Sequence, residues 1–530
     1  MDDSRDRLVR KGDYIYGSFV RPESVDGFIT GVNPGDRSDN LGRFPFSEAS
    51  VDDAVDHARL AARIWRRVGL NDRAAVVRRF RQALTKNAER ITRLLTRETG
   101  KPFWEARQEL GETLLAVEHL LDQGVGLLAP RIEEASLARA DFVPRGAVAM
   151  LCPYNLPLRI AAANTAAAVL SGNTVVFKPS KFTPGMGQMV AEVWDQCKLP
   201  RGVINMVQGS GSGVGRRLIN HPGIAALVFT GSFESAGEVR RQLFERPELP
   251  AFYQTGGKGA AIVLSGCDLD RAVYEVMVGA FMTTGQRHTS TGRVIVDEAI
   301  YDNFMDLLVS RASSLRIGYG FDRDVFMGPV ISENYRSRFR KYGRALTRAG
   351  NAPILEGTSA TRTERRGFYV TPAVHEVDWA GGEPCLLDEP LGPTLLVYKV
   401  KGVDEAIALH NQFAYRLVCS VYPPADQRAL QELVDRLRTG AVLINQPTTT
   451  STLPLPSVGL GRSSNGVAGG VQLVQALTYP RTCQSTDKAF DPLRTLPGTE
   501  WAPPTTQALV EFDEDTIIDE DISSMLEPEV

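Results

Sequence analysis

Cysteine and histidine are scarce in this chain, with six of each in 530 residues. The cysteines, Cys152, Cys197, Cys267, Cys385, Cys419 and Cys483, form no C-x-x-C pair and sit beside no histidine cluster. That spacing fits neither a disulfide framework nor a zinc site, and the expectation is reduced, mostly buried thiols. Charge of one sign is missing too. Sixty Lys+Arg against 63 Asp+Glu leave a net charge of -3, so nothing overall argues for a nucleic-acid partner. Nor is there a long apolar run: the most apolar stretch, Ile160 to Leu170, is about half the length that spans a bilayer. The opening MDDSRDRLVRKGDY is charged from its second residue, unlike a signal peptide. These absences lead to the expectation of a soluble, cytoplasmic protein with no membrane and no nucleic acid among its partners.

What is present is ordinary globular material, 43% hydrophobic and 23% charged, in a chain too long for one compact core. Two or three domains are expected. Early on, Ser50 is placed to cap a helix whose apolar residues Val51, Ala54, Val55 and Ala58 recur at helical spacing. An arginine-rich amphipathic helix is expected from Ala74 to Leu95, with Gly100 as the C-cap of the region and another helix over Trp104 to Leu121. From Gly146 the rhythm changes. GAVAMLCPYN, GNTVVFKPS, VINMVQG and IAALVFTGS read as buried strands, separated by helical segments that include Met189 to Cys197 and Gly213 to Asn220. Strand and helix alternating through short connections is the signature of a doubly wound parallel sheet.

The alternation restarts at AAIVLSG and continues through RVIVD, a helix over Asp302–Ser314 and TLLVYKV. The fold class expected is therefore α/β, with two doubly wound, Rossmann-like parallel-sheet domains. Residues 1–130, 144–252 and 442–474 would form a nucleotide-binding domain and 253–441 a catalytic-type domain. The chain would return to the first through the Gly- and Pro-rich run from Leu453 to Gly470. Residues 496–530 read as an acidic, disordered tail: 511–530 hold nine acids and no Lys or Arg, with Ile517, Ile518, Ile522, Met525 and Leu526 interspersed as a possible docking motif.

Eight short segments, in order over about 370 residues, carry a resemblance. They are RETGKP (97–102), PYNLP (153–157), GNTVVFKPS (172–180), FTGS (229–232), TGGK (255–258), GQR (285–287), EPLGP (389–393) and GLGRSSNG (459–466). In this set the chain resembles the aldehyde dehydrogenase superfamily. RETGKPFWEA, the PYN form of the asparagine motif and GQR with its following TST-G-R lean toward the succinylglutamate semialdehyde dehydrogenases of arginine degradation. The resemblance implies a third, β-rich oligomerisation segment at 131–143 and 475–495, hence a homo-oligomer, dimer or tetramer, and NAD or NADP as cofactor.

The resemblance also assigns roles. In that family a cysteine thiolate attacks the aldehyde and a backbone N–H and an Asn amide hold the oxyanion. Hydride then passes to the nicotinamide, and a glutamate activates the water that releases the acid. Asn155 matches the oxyanion asparagine, although an Asn beside a proline at a strand end also suits a plain turn. Lys178 matches the lysine that bonds the adenosine ribose. Lys181 stands where an acid usually follows, which implies either tolerance of a 2′-phosphate or a pocket fallen out of use. Ser232 matches the residue that meets the pyrophosphate at a helix N-terminus, a place that attracts phosphate on its own physics. A simple N-cap there would contribute about 1 kcal/mol. Glu389 matches the glutamate of the nicotinamide ribose, with Leu391 in place of an aromatic.

At the chemical step the match fails. His288 stands at the nucleophilic cysteine and Gln254 at the general base, and a neutral amide takes no proton from water near neutral pH. Thr289 and Ser290 are adjacent hydroxyls, harder to ionise than a thiol. Cys152, next to the asparagine motif, is the one cysteine placed to approach from another side. Two readings follow: a catalytically silent nucleotide-binding or scaffold subunit, pairing with an active homologue or acting through its acidic tail, or an active NAD(P)-dependent semialdehyde dehydrogenase or hydrolase with a substitute nucleophile.

Overall fold

The structure is a computed structural model in which residues 9–359, 365–378, 391–423, 427–451, 455–456, 458–466, 469–492 and 494–499 are described. Two seven-stranded sheets organise them. The first runs Ala251–Thr255, Ala226–Gly231, Ala147–Leu151, Thr174–Lys178, Ile204–Met206, Asp13–Ile15, Ser18–Val20. Its first five strands are mutually parallel, and Asp13–Ile15 joins them antiparallel. From Ala147–Leu151 the chain adds strands on one side, then crosses back to add Ala226–Gly231 on the other. In open α/β sheets the crevice beyond the strand ends at such a reversal is where ligands bind.

The second sheet runs Pro353–Leu355, Ala373–Glu376, Thr394–Val400, Thr291–Asp297, Gly259–Val263, Val418–Tyr422, Ala441–Ile444, parallel except at Pro353–Leu355. The α/β architecture with two largely parallel sheets is the one the chain adopts. Strand Ala251–Thr255, which crosses the boundary expected at residues 252/253, belongs to the first sheet.

The local causes are plain. TVVFK (Thr174–Lys178) and GAAIV (Gly259–Val263) are buried along their whole length, as strands covered on both faces must be. Helix Pro157–Leu170 starts on a proline, whose missing N–H is no loss there, and is buried nearly all round, hence its Ala-rich sequence without a polar stripe. Gly100 ends helix Ala88–Thr99 at φ 76°, and a Cβ there would press on Pro329 at 2.5 Å. Three local expectations need correction. The helix expected over Ala74–Leu95 is two, Leu70–Lys86 and Ala88–Thr99, because the chain turns at Asn87. Ser50 is the first residue of its helix rather than its cap; Ala49 holds that place without a side-chain bond. The helix expected from Met189 begins earlier, at Pro184, a favoured first position.

One compact unit comprises the described residues within 9–131 and 140–482, and the other those within 132–139 and 483–499. Strands Arg131–Glu133, Ala138–Pro144 and Thr478–Gln484 make a three-stranded sheet from stretches expected to form the oligomerisation segment. Most of the acidic segment, residues 500–530, lies outside the described residues, as does Glu389. Among the described residues no helix is long and apolar enough to cross a membrane, and no group of His, Cys, Asp and Glu is arranged to hold a metal ion.

Candidate active site

Lys178 ends its strand in the first sheet, buried, with Nζ donating to the carbonyls of Pro179 (2.6 Å) and Gly209 (3.2 Å). Burial pulls its ammonium down to about 8. Lys181 is exposed three residues on, its Nζ 5.4 Å from the centre of the Phe182 ring. At the end of strand Ala226–Gly231, two places away in the sheet, Ser232 accepts from the Ser235 N–H at 3.2 Å and caps helix Phe233–Gln242, as expected. The Gly-rich run Gly209–Gly215 packs close by: a Cβ on Gly215 would lie 3.4 Å from Lys178 Cε. Lys178 and Ser232 thus end two strands that flank Ala147–Leu151 on either side of the reversal.

Gln254 lies on the edge strand Ala251–Thr255, where its Oε1 accepts from Thr230 Oγ1 at 3.0 Å. The GLGRSSNG run closes against this strand. Thr255 N–H donates to Ser463 O at 2.9 Å, Asn465 Nδ2 donates to Ala251 O at 2.7 Å, and Gln254 faces Ser464 in an antiparallel bridge. Beside Gln254, GGK turns so tightly against the other motif that a Cβ on Gly257 would fall 1.3 Å from the carbonyl oxygen of His288; only glycine passes there. His288 and Gln254 therefore line one pocket of about 150 Å³, together with Arg159, Asn164, Thr289 and Ser451. Burial, then the charges of Arg159 and Arg287, push the His288 imidazole down to about 4, so the ring is neutral at pH 7. Its Nδ1 is buried without a hydrogen-bond partner among the described residues.

Asn155 stands behind this pocket and is buried; its Nδ2 donates to the Gln286 carbonyl at 2.8 Å while its Oδ1 accepts from the Leu156 N–H at 2.9 Å. Lys101 Nζ fixes the Asn155 carbonyl at 2.9 Å and pairs with Glu109 at 2.5 Å. The other oxygen of Glu109 receives the N–H groups of Leu158 and Arg159 at the start of helix Pro157–Leu170. Arg159 pairs with Glu112 at 3.0 Å and donates to Ser451 Oγ at 2.8 Å; Arg287 reaches Glu105 at 3.3 Å. Three acids from one helix and three bases from elsewhere thus neutralise one another beneath the pocket. Sequence reasoning missed this cluster, although Glu105, Glu109 and Glu112 recur at helical spacing within Phe103–His119. Thr283 and Thr284 were also missed. Both hold left-handed backbone, φ 54° and 55°, which β-branched residues avoid. Thr283 is tied to Glu105, and Thr284 Oγ1 to the carbonyls of Gly328 (3.0 Å) and Pro329 (3.2 Å). Such strain collects at functional loops, and this one delivers Gln286, Arg287 and His288.

No substitute nucleophile is prepared among the described residues. Cys152 is corrected most clearly: it packs into the core of the first sheet rather than the pocket, and burial pushes its thiol up to about 12. Ser290 is buried with its Oγ unpartnered, so His288 does not activate it. No cysteine lines the pocket.

The description of the aldehyde dehydrogenase family matches residues 19–483. The chain belongs to the aldehyde dehydrogenase family. It is 34% identical over 480 residues to an N-succinylglutamate 5-semialdehyde dehydrogenase of Chromobacterium violaceum, covering 88% of this chain and 95% of that protein. Among solved structures, the NAD-dependent aldehyde dehydrogenase of Sinorhizobium meliloti superposes with a TM-score of 0.87 at 28% identity, covering 93% of this chain and 99% of that one. The NAD+ complex of an aldehyde dehydrogenase from Bacillus cereus shares the fold at TM-score 0.85 and 24% identity, covering 91% of this chain and 98% of that one.

Proposed function

We propose that this aldehyde dehydrogenase family member binds NAD or NADP but does not oxidise aldehydes. The observation that carries the reading is the shared pocket of His288 and Gln254. It is lined by a neutral imidazole, which we read as replacing the family's nucleophile, and by a neutral amide bonded to Thr230, which we read as replacing its base, with no thiol among the lining residues. The residues at the first sheet's strand ends fit a dinucleotide. Ser232 and the N-terminus of helix Phe233–Gln242 present N–H groups and a positive dipole end to a pyrophosphate. Lys178 presents an ammonium to ribose hydroxyls, and Lys181 adds a cation beside it, where a 2′-phosphate would be favoured. A bound nicotinamide would supply a hydride acceptor. Arg159, which lines the pocket, would orient a carbonyl compound there, with nothing to bond it covalently.

In this reading the protein acts as a cytoplasmic, oligomeric subunit, a scaffold or regulator in which the three-stranded sheet carries assembly and residues 500–530 contact a partner. Affinity capture with and without residues 500–530 tests that last element; identical partners would remove it. The identity to a named semialdehyde dehydrogenase favours the second reading, an active enzyme with a substitute nucleophile. Calorimetric titration with NAD⁺ and, separately, NADP⁺ is the primary test. Micromolar binding, about -8 kcal/mol, is expected, and preference for NADP⁺ would assign Lys181 to the phosphate. No heat from a folded sample would sink the nucleotide-binding reading. Steady NADH production from a semialdehyde would sink the silent one.

A further inference from the structure

Helix Glu333–Arg348, ENYRSRFRKYGRALTR, carries six bases and a single acid in a chain whose net charge is -3. Its buried residues Phe339, Tyr342 and Leu346 define the face turned to the protein. On another face Arg340, Arg344 and Arg348 follow at intervals of four, a row of guanidiniums about 12 Å long. Glu333, the acid, pairs with Arg336 and lies 3.6 Å from Arg340. Arg344 and Arg348 have no acidic partner among the described residues. Like charges four residues apart repel along a helix, so the unanswered Arg344 and Arg348 are a standing penalty that an anion would relieve.

The row does not simply face bulk water. It walls a cleft of about 650 Å³, within the roughly 300–1,000 Å³ range of small-molecule sites, closed on the far side by residues 353–359. Thr347, Thr358 and Ser359 line the cleft with the three arginines, and Glu356 is the acid among its lining residues. The cleft shares no residue with the His288 pocket or with Lys178, Lys181 and Ser232.

We propose that this cleft is a second ligand site, for a small multiply charged anion bearing phosphates or carboxylates, held by Arg344 and Arg348. Guanidinium forks match the paired oxygens of both groups, and the row's length suits two anionic groups on one molecule better than one. The site stands whether or not the protein turns over an aldehyde.

The test titrates the full chain with pyrophosphate and with citrate in about 0.15 M salt. Three variants are compared with wild type: Arg344→Glu/Arg348→Glu, the milder Arg344→Gln/Arg348→Gln, and Lys181→Ala. Sub-millimolar binding of at least one probe is expected, weakened about tenfold or more by the charge reversal and less by the glutamines. Lys181→Ala should leave it unchanged. The tighter probe names the source, phosphate or carboxylate. Binding equal to wild type in both arginine variants would overturn the proposal. So would failure of both probes to bind, or loss of binding in Lys181→Ala, which would place the anion in the dinucleotide crevice instead.

Discussion

The strand ends of the first sheet and the floor beneath His288 are both polar and largely buried, yet they hold charge in opposite ways. At the strand ends Lys178 meets only carbonyl oxygens, Lys181 is exposed beside it, and a helix N-terminus adds a positive dipole end. Beneath His288, each of Lys101, Arg159 and Arg287 reaches an acid from the helix Phe103–His119. The first arrangement leaves positive charge for something outside the protein to answer. The second answers itself, and presents neutral His288 and Gln254 above it. A buried cation can stay unpaired where a ligand brings the counter-charge; elsewhere burial demands a partner from the chain.

Removing one member of the self-paired side should have the largest effect. Glu109→Ala strands Lys101 and two N–H groups at the start of helix Pro157–Leu170, and should cost about 3–5 kcal/mol in urea unfolding. A loss under about 1 kcal/mol would break the contrast, since the cluster would then be slack. Next, His288→Cys with Gln254→Glu puts a thiol and a base above the same floor. Alkylation of the new thiol and aldehyde-dependent NADH formation about 10²-fold over wild type are expected. A folded double variant whose thiol stays inert would show that this pocket is not the family's reaction site.

On the open side, Lys181→Glu should weaken NADP⁺ relative to NAD⁺ about tenfold by calorimetry, from repulsion of the 2′-phosphate; an unchanged ratio would release Lys181 from the pocket. Asp13 sharpens the contrast from the acid side. It is buried in the first sheet, with Oδ1 accepting from the Gln208 N–H at 2.7 Å. Burial raises it from 3.8 to about 7 against that bond and a weaker one from the Ser50 hydroxyl. Its folded form then holds a proton that the unfolded chain has lost, so stability is fully present below pH about 3.8 and falls as pH rises toward 7, by about 1 kcal/mol per unit. Asp13→Asn should flatten the decline in melts between pH 5 and 7. An equal slope in the variant would assign the pH dependence to other groups. Smallest is Ser232→Ala, expected to cost about 1 kcal/mol of stability through the lost cap while weakening NAD⁺ modestly. Full retention of both would leave Ser232 with no part in either.

Much of the fold was legible because buried parallel strands and short turns leave a strong pattern: TVVFK and GAAIV could hardly be anything else. The break at Asn87 was not, because both helices on either side keep the same arginine-rich, amphipathic character. At the site, motifs pointed to His288, Gln254 and Asn155, and the fold gathers the first two in one pocket with Asn155 behind it. The acids of Phe103–His119 were visible at helical spacing, but their partners are scattered from Lys101 to Arg287 and could not be matched without the fold. The left-handed Thr283 and Thr284 had no signal, since threonine ordinarily avoids that backbone region.

By itself, then, the sequence determined the α/β alternation, the two sheets and the family, because these rest on local periodicity and on short motifs whose order survives translation into space. It also determined that His288 follows the GQR motif and Gln254 precedes TGGK. Only the tertiary structure decided that Cys152 turns into the core, that six charges cancel beneath the pocket, and that Arg340, Arg344 and Arg348 wall a cleft. Those facts depend on which way a side chain points and on what a distant segment brings to meet it, and no one-dimensional pattern carries either.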